Sequence, residues 1–110
     1  ILAKLGIYCY LCINKRKDSM YITNATLIEK FCKKHKDAES AFAKWVEFVE
    51  KAGWKNHADL KNDYLSADYV GNNRYVFNIK GNNYRLIIMV VFFAGTADIR
   101  FVGTHKEYDI

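Results

Sequence analysis

The chain has 110 residues, a formal net charge of +5 at pH 7, 51% apolar residues and no proline. This is one domain's worth of sequence with enough apolar content to fill a single core, and it leaves no room for a second domain. Lys4, Lys15, Arg16 and Lys17, opposed only by Asp18, hold more than half of the net charge, so the placement of the remaining cations matters more than their sum.

From the N-terminus, Ile1 to Ile13 is apolar apart from Lys4 and is followed by Asn14, Lys15, Arg16 and Lys17. A membrane span needs about 20 apolar residues, and a signal peptide carries its positive charges ahead of the apolar part. Neither pattern is met, and no membrane partner is expected. Domain patterning starts at Met20. Residues 1–19 are expected to be an extension outside the domain, not necessarily native, and residues 20–110 to form one compact unit. Cys9, Cys12 and Cys32 make an odd set with no paired framework and no Cys/His zinc spacing. Cys9-Tyr10-Leu11-Cys12 lacks the strand-to-helix setting of a redox motif, so reduced thiols in a cytoplasmic protein are expected.

Met20 to Thr23 reads as a short strand. Thr26 with Glu29 has capping-box spacing, and Leu27 and Phe31, with Ile28, Cys32 and His35, recur at helical intervals, which predicts a helix over about Ala25 to His35. Asp37 with Ser40 can start a second helix, whose apolar stripe is Ala38, Phe42, Trp45, Val49 and Ala52. Gly53 stands where a helix-ending glycine belongs. The resulting helical hairpin can cover one face of a sheet. Asn56 with Asp59 predicts the cap of a short helix running to about Tyr64, Ser66-Ala67-Asp68 leads onward, and Val70 to Asn73 turns the chain into the first long strand.

The stretch from Arg74 to Tyr108 holds three strand-like runs, broken at Gly81-Asn82 and at Ala94-Gly95-Thr96. Tyr75, Phe77 and Ile79 alternate with Arg74, Val76, Asn78 and Lys80, the period of a strand with one buried face. Beyond the turn, Tyr84, Leu86, Ile88, Val90 and Phe92 form the apolar set. A two-residue loop at Gly81-Asn82 sets Ile79 opposite Tyr84 and Asn78 opposite Arg85, which places both apolar sets on one side. Ile99 and Phe101 are expected to join that side. The other face would then carry Arg74, Lys80, Arg85 and Arg100, with His105, Lys106 and Tyr108 just past its edge. Scattered surface cations are usually no more than solvated, but three of the four on this face are arginines, whose planar fork suits phosphate.

No glycine-rich phosphate loop, H-E-x-x-H pair or carboxylate cluster occurs, so neither a metal nor another cofactor is expected. His35 and His57 sit at helix ends and read as surface or capping residues. His105 differs, because it follows Gly103-Thr104 at the rim of the cationic face. A histidine and a tyrosine beside fixed cations suit RNA cleavage without a metal: the 2′-hydroxyl loses a proton, the phosphorane gains negative charge, and the leaving 5′-oxygen takes a proton.

The segments Ser66 to Asn72, Val76 to Leu86 and Phe101 to Asp109, with Trp54-Lys55-Asn56 and Asp59, resemble in order and spacing the HigB family of type II toxins within the RelE/ParE-like superfamily. The resemblance runs from about Met20 to the C-terminus. It implies an α+β, RelE-like fold with N-terminal helices packed on one face of a small antiparallel sheet. It also implies an mRNA interferase that cuts messages on the ribosome and is neutralised by a HigA-like helix-turn-helix antitoxin. Lys80 and Arg85 match the family's N-I-K-G-N-x-Y-R block, and His105 and Tyr108 its G-T-H-x-E-Y block; these four are the expected catalytic set, with Arg74, Asn78, Arg100 and Lys106 as RNA contacts. The alternatives are a ParE-like inhibitor of a protein target such as gyrase and an RNA-binding module without cleavage.

Overall fold

In the computed structural model, which describes residues 19–108 with Tyr108 as backbone only, the described residues form five strands, four α-helices and two single 3₁₀ turns. The Cys9–Cys12 pair and nearly all of the expected extension lie outside the described residues. The strands are β1 (Tyr21–Thr23), β2 (Asp68–Gly71), β3 (Arg74–Ile79), β4 (Tyr84–Val91) and β5 (Thr96–Thr104); the helices are α1 (Thr26–Lys34), α2 (Glu39–Lys51), α3 (His57–Asp63) and α4 (His105–Tyr108).

The described residues make one sheet in the order β1-β5-β4-β3-β2. It is mixed, not purely antiparallel as expected, because β1 runs parallel to β5, with Tyr21 opposite Thr96. This segment is tied in from several directions. The Met20 amide donates to Ala52 O at 2.9 Å and the Tyr21 amide to Gly95 O at 2.7 Å, while Thr23 Oγ1 donates to Asp98 Oδ1 at 2.6 Å. Gly95 turns the chain with φ of 66°, a left-handed conformation that costs a glycine little.

Alternation is obeyed on β3 and β4. Tyr75, Phe77, Ile79, Tyr84, Leu86, Ile88 and Val90 are all buried and share the core with residues of α1, α2 and α3. Trp45 of α2 meets Phe77 edge-on at 5.4 Å, and Phe31 of α1 meets Tyr84 the same way at 5.4 Å. Phe92 leaves the strand for a 3₁₀ turn over Phe92–Ala94, so β4 stops one residue short of the expected apolar set.

The parity expected for β5 fails at one point. Ile99 pairs with Ile88, but Phe101 pairs with Ile87, which leaves Arg100 as the extra residue of a β-bulge. Phe101 is thereby moved to the face opposite Ile99, and Val102 packs against the core in its place.

Helix starts depart from expectation in two cases. Thr26 lies inside α1 and makes no capping bond, and α2 follows a 3₁₀ turn, Lys36–Ala38, without a side-chain cap. Asp37 is drawn instead to the sheet. α2 also ends without a left-handed Gly53: the chain leaves through extended Ala52, whose carbonyl receives Met20. The α3 cap is as expected, with Asn56 Oδ1 accepting from the Asp59 amide at 2.9 Å.

Phe42 is fully buried in α2, against the rings of Phe31 and Tyr84. Truncating such a ring opens a cavity, so Phe42→Ala is expected to cost about 3–5 kcal/mol in urea unfolding at equilibrium. A cost below about 1 kcal/mol would show that α2 does not anchor the sheet.

Candidate active site

The hairpin turn between β3 and β4 organises the polar end of the sheet. Ile79 pairs with Tyr84 and Asn78 with Arg85, the register that apolar parity dictates. Lys80 and Gly81 take positive φ values of 54° and 65°, and the Asn83 amide closes the turn on Lys80 O at 3.3 Å. The turn's carbonyls then accept from two of the expected site residues, from a side chain in one case and a backbone amide in the other. Arg85 Nη1 donates to Asn82 O at 3.3 Å and to Tyr84 O at 3.4 Å, and the His105 amide donates to Asn83 O at 3.1 Å.

Those two residues meet. Arg85 Nη2 lies 2.8 Å from His105 Nδ1. Guanidinium can only donate, so Nδ1 accepts and the imidazole in this contact is neutral, with its proton on Nε2. Arg85 is only 9% exposed, on a strand position opposite Gly103. A side chain at Gly103 has no room: an added Cβ would lie 2.5 Å from Phe101 Cζ and 3.1 Å from Glu107 Oε1. The bulge that moves Phe101 to this face therefore favours a glycine two residues on, since a larger residue would have to push the Phe101 ring aside.

His105 is the first residue of α4, a single turn held by a capping box. The Thr104 amide donates to Glu107 Oε1 at 2.7 Å, and the Glu107 amide donates to Thr104 Oγ1 at 3.1 Å. The bond from the Thr104 amide is the main reason the Glu107 carboxyl is held below its ordinary range. The sequence carries this signal as Thr104-x-x-Glu107, the same spacing as Thr26-x-x-Glu29, where it is not used.

The other expected site residues are dispersed. Lys80 Nζ pairs with Asp37 Oδ2 at 3.0 Å, and Tyr84 Oη donates to the same oxygen at 2.6 Å; among the described contacts Lys80 reaches neither Arg85 nor His105. The Tyr84 hydroxyl bond, then Lys80, holds the Asp37 carboxyl below the ordinary carboxylate range. Arg100 Nε pairs with Asp98 Oδ2 at 3.1 Å. Arg74 is half-buried opposite Met89, while Asn78 and Lys106 are exposed. Tyr108 ends α4, and its side chain lies outside the described residues. The expected open cationic face is thus interrupted, since Val76 at its centre is 4% exposed and Ile87, Met89 and Phe101 are half-buried beside it. His35 stacks on Phe31 at 4.3 Å, and His57 Nδ1 lies 2.7 Å from the buried Tyr75 hydroxyl, so both serve packing.

Among the described residues, no three His, Cys, Asp or Glu side chains gather as a metal site would require, and no helix is long and apolar enough to cross a membrane.

Residues 38–110 match the family model of the HigB toxins, described as the RelE-like toxic component of a toxin-antitoxin system. Over 64 residues the chain is 41% identical to the mRNA interferase toxin HigB of Escherichia coli K12, with the same identity to the mRNA interferase HigB of Escherichia coli O157:H7 and of Shigella flexneri. The alignment covers 56% of this chain and 61% of each of those proteins, so the likeness spans less than two thirds of their length. Arg85, His105 and Glu107 all lie in the region that the family model matches.

A carboxyl held below its unfolded value stabilises the fold above that value, and the contribution is lost as pH falls through the folded one. Asp37→Ala is therefore expected to lower the Tm at neutral pH, and the gap to the parent should close as pH drops below about 4. Thermal melts from neutral to strongly acidic pH test this; a gap that stays constant throughout would mean that the carboxylate charge is not its source.

Proposed function

The chain belongs to the HigB family of RelE-like toxins, and from that premise we propose that it is an mRNA interferase, a metal-independent endoribonuclease that cuts messages on the ribosome. The observation that carries this reading is the contact of Arg85 with His105 at 2.8 Å, which sets a permanent cation against an imidazole whose Nδ1 lone pair it engages. Guanidinium prefers the two oxygens of a phosphate to a single ring nitrogen. When the scissile phosphate enters, Arg85 turns to it and His105 Nδ1 is released as the base for the 2′-hydroxyl.

The 2′-oxygen then bonds to phosphorus, the bond from phosphorus to the 5′-oxygen breaks, and Arg85 stabilises the charge gathered on the phosphorane. The 2′-hydroxyl proton passes to His105. Tyr108, at the end of the same helical turn, is assigned to the leaving 5′-oxygen. The products are a 2′,3′-cyclic phosphate and a 5′-hydroxyl. Lys80 contributes after exchanging Asp37 for phosphate, and Arg74, Asn78, Arg100 and Lys106 contact flanking RNA.

The partner assigned is a HigA-like helix-turn-helix antitoxin that silences the site. The fold is read as RelE-like, with α1 and α2 on one face of the sheet, which the ring contacts of Phe31 with Tyr84 and of Trp45 with Phe77 support. The toxin domain is taken to begin at Met20, so a protein starting there is expected to keep its melting temperature and its cleavage; loss of either would assign residues 1–19 to the domain.

Cleavage by the purified protein on translating ribosomes should persist when cobalt hexammine, which cannot be coordinated directly, replaces all but the magnesium the ribosome itself requires. His105→Ala and Arg85→Ala are each expected to lower the single-turnover rate by about 10²-fold or more. Mapping of the 3′ ends should find the cyclic phosphate. A 3′-hydroxyl product, or an unchanged rate in a folded His105→Ala protein, would overturn the assignment.

A further inference from the structure

α4 is one turn long, and an isolated turn does not hold itself, because its first hydrogen bond fixes several residues at once. Three of the hydrogen bonds among the described residues fix its start. The His105 amide is anchored on Asn83 O, and the other two are the reciprocal bonds between Thr104 and Glu107. Both halves of that pair depend on Glu107 being in position. His105 lies between the two partners, so the backbone angles that aim its imidazole at Arg85 are those the capping box imposes.

We infer that Glu107 is a positioning residue: its carboxylate, bonded to the Thr104 amide, holds the turn that presents His105 Nδ1 to Arg85. This role rests on reading Arg85 and His105 as the reacting pair. The carboxylate has a prepared seat. It lies over Gly103, where an added Cβ would come within 3.1 Å of Glu107 Oε1, and the edge of Phe101 closes the other side of the same glycine. The Thr104 amide bond favours the ionised form of Glu107 over the opposing effect of desolvation, and Lys34 at the end of α1 adds a smaller contribution in the same direction. A carboxylate so engaged is a poor proton carrier. Its place next to the site is explained by holding the turn.

The distinction between holding and reacting gives the test. Glutamine also serves at this position of a capping box, because its side-chain oxygen accepts the same amide bond without charge. In single-turnover cleavage with ¹⁵N spectra of the His105 ring, Glu107→Ala should lower the rate about 10- to 100-fold at unchanged RNA affinity and should shift both ring nitrogens. Glu107→Gln should restore most of the rate and the parent spectrum. Thr104→Val should reproduce the alanine defect and Thr104→Ser should repair it, which separates loss of the box from any general loss of folding.

An unchanged rate and spectrum in Glu107→Ala would overturn the inference. So would a Glu107→Gln protein as defective as Glu107→Ala, since the charge itself would then be acting. If His105→Ala cleaves normally while Glu107→Ala still shifts the ring signals, the positioning stands and it is the catalytic reading of His105 that fails.

Discussion

The pairing of β3 with β4 across the Lys80–Asn83 turn is the constraint on which the rest depends. With Ile79 opposite Tyr84, the alternate apolar sets of both strands, Tyr75, Phe77 and Ile79 with Tyr84, Leu86, Ile88 and Val90, face the helices; a slip of one residue would turn the polar set of one strand, Asn78 or Arg85 with it, into the core. The register also decides where Arg85 sits. It is directed to the other face, opposite a glycine, with its guanidinium against the carbonyls of the turn that set the register. A buried cation needs such partners, because an unpaired one would cost several kcal/mol. Fold and site are therefore fixed by one turn, and the Asn83 carbonyl that receives His105 belongs to it as well.

Legibility from sequence divides along physical lines. Period-two patterning over Arg74 to Val91 reads directly because burial on one face is a strong, repeated constraint. The bulge at Arg100 does not read, since Ile99, Phe101 and Val102 are all apolar and either parity can be written through them. Capping boxes illustrate the same difference. Thr26/Glu29 and Thr104/Glu107 have the same spacing, yet only the second is used, at a strand end where a single turn is too short to hold itself. Parallel pairing of β1 with β5 has no local signal at all. It depends on two segments about 75 residues apart, tied by Thr23 to Asp98 and by Asn24 to Ile99.

Charge was legible as composition but not as placement. Three arginines and a lysine on alternate positions suggest one cationic face, whereas Arg100 is matched by Asp98, Lys80 by Asp37, and the middle of the face is filled by Val76, Ile87 and Met89. What separates Arg85 from the others is its burial and the shared anchoring of its histidine neighbour. Alternation alone cannot show this, because His105 lies beyond the strand and arrives only through the turn of α4.

The two polar groupings at this end of the sheet differ in what a phosphate would have to displace. Lys80 and Asp37 are both well exposed, and an ion pair in solvent contributes little, so exchanging the carboxylate for phosphate changes the free energy only slightly. Arg85 holds its turn carbonyls and its imidazole in a nearly buried setting, where moving a donor is costly unless the incoming acceptor is better. A doubly oxygenated anion is such an acceptor, and a neutral amide or a water is not. Discrimination at this end of the sheet would therefore come from Arg85, with Lys80 adding attraction at longer range. On the proposed mechanism, release of His105 Nδ1 is coupled to the arrival of the phosphate that draws Arg85 away from it.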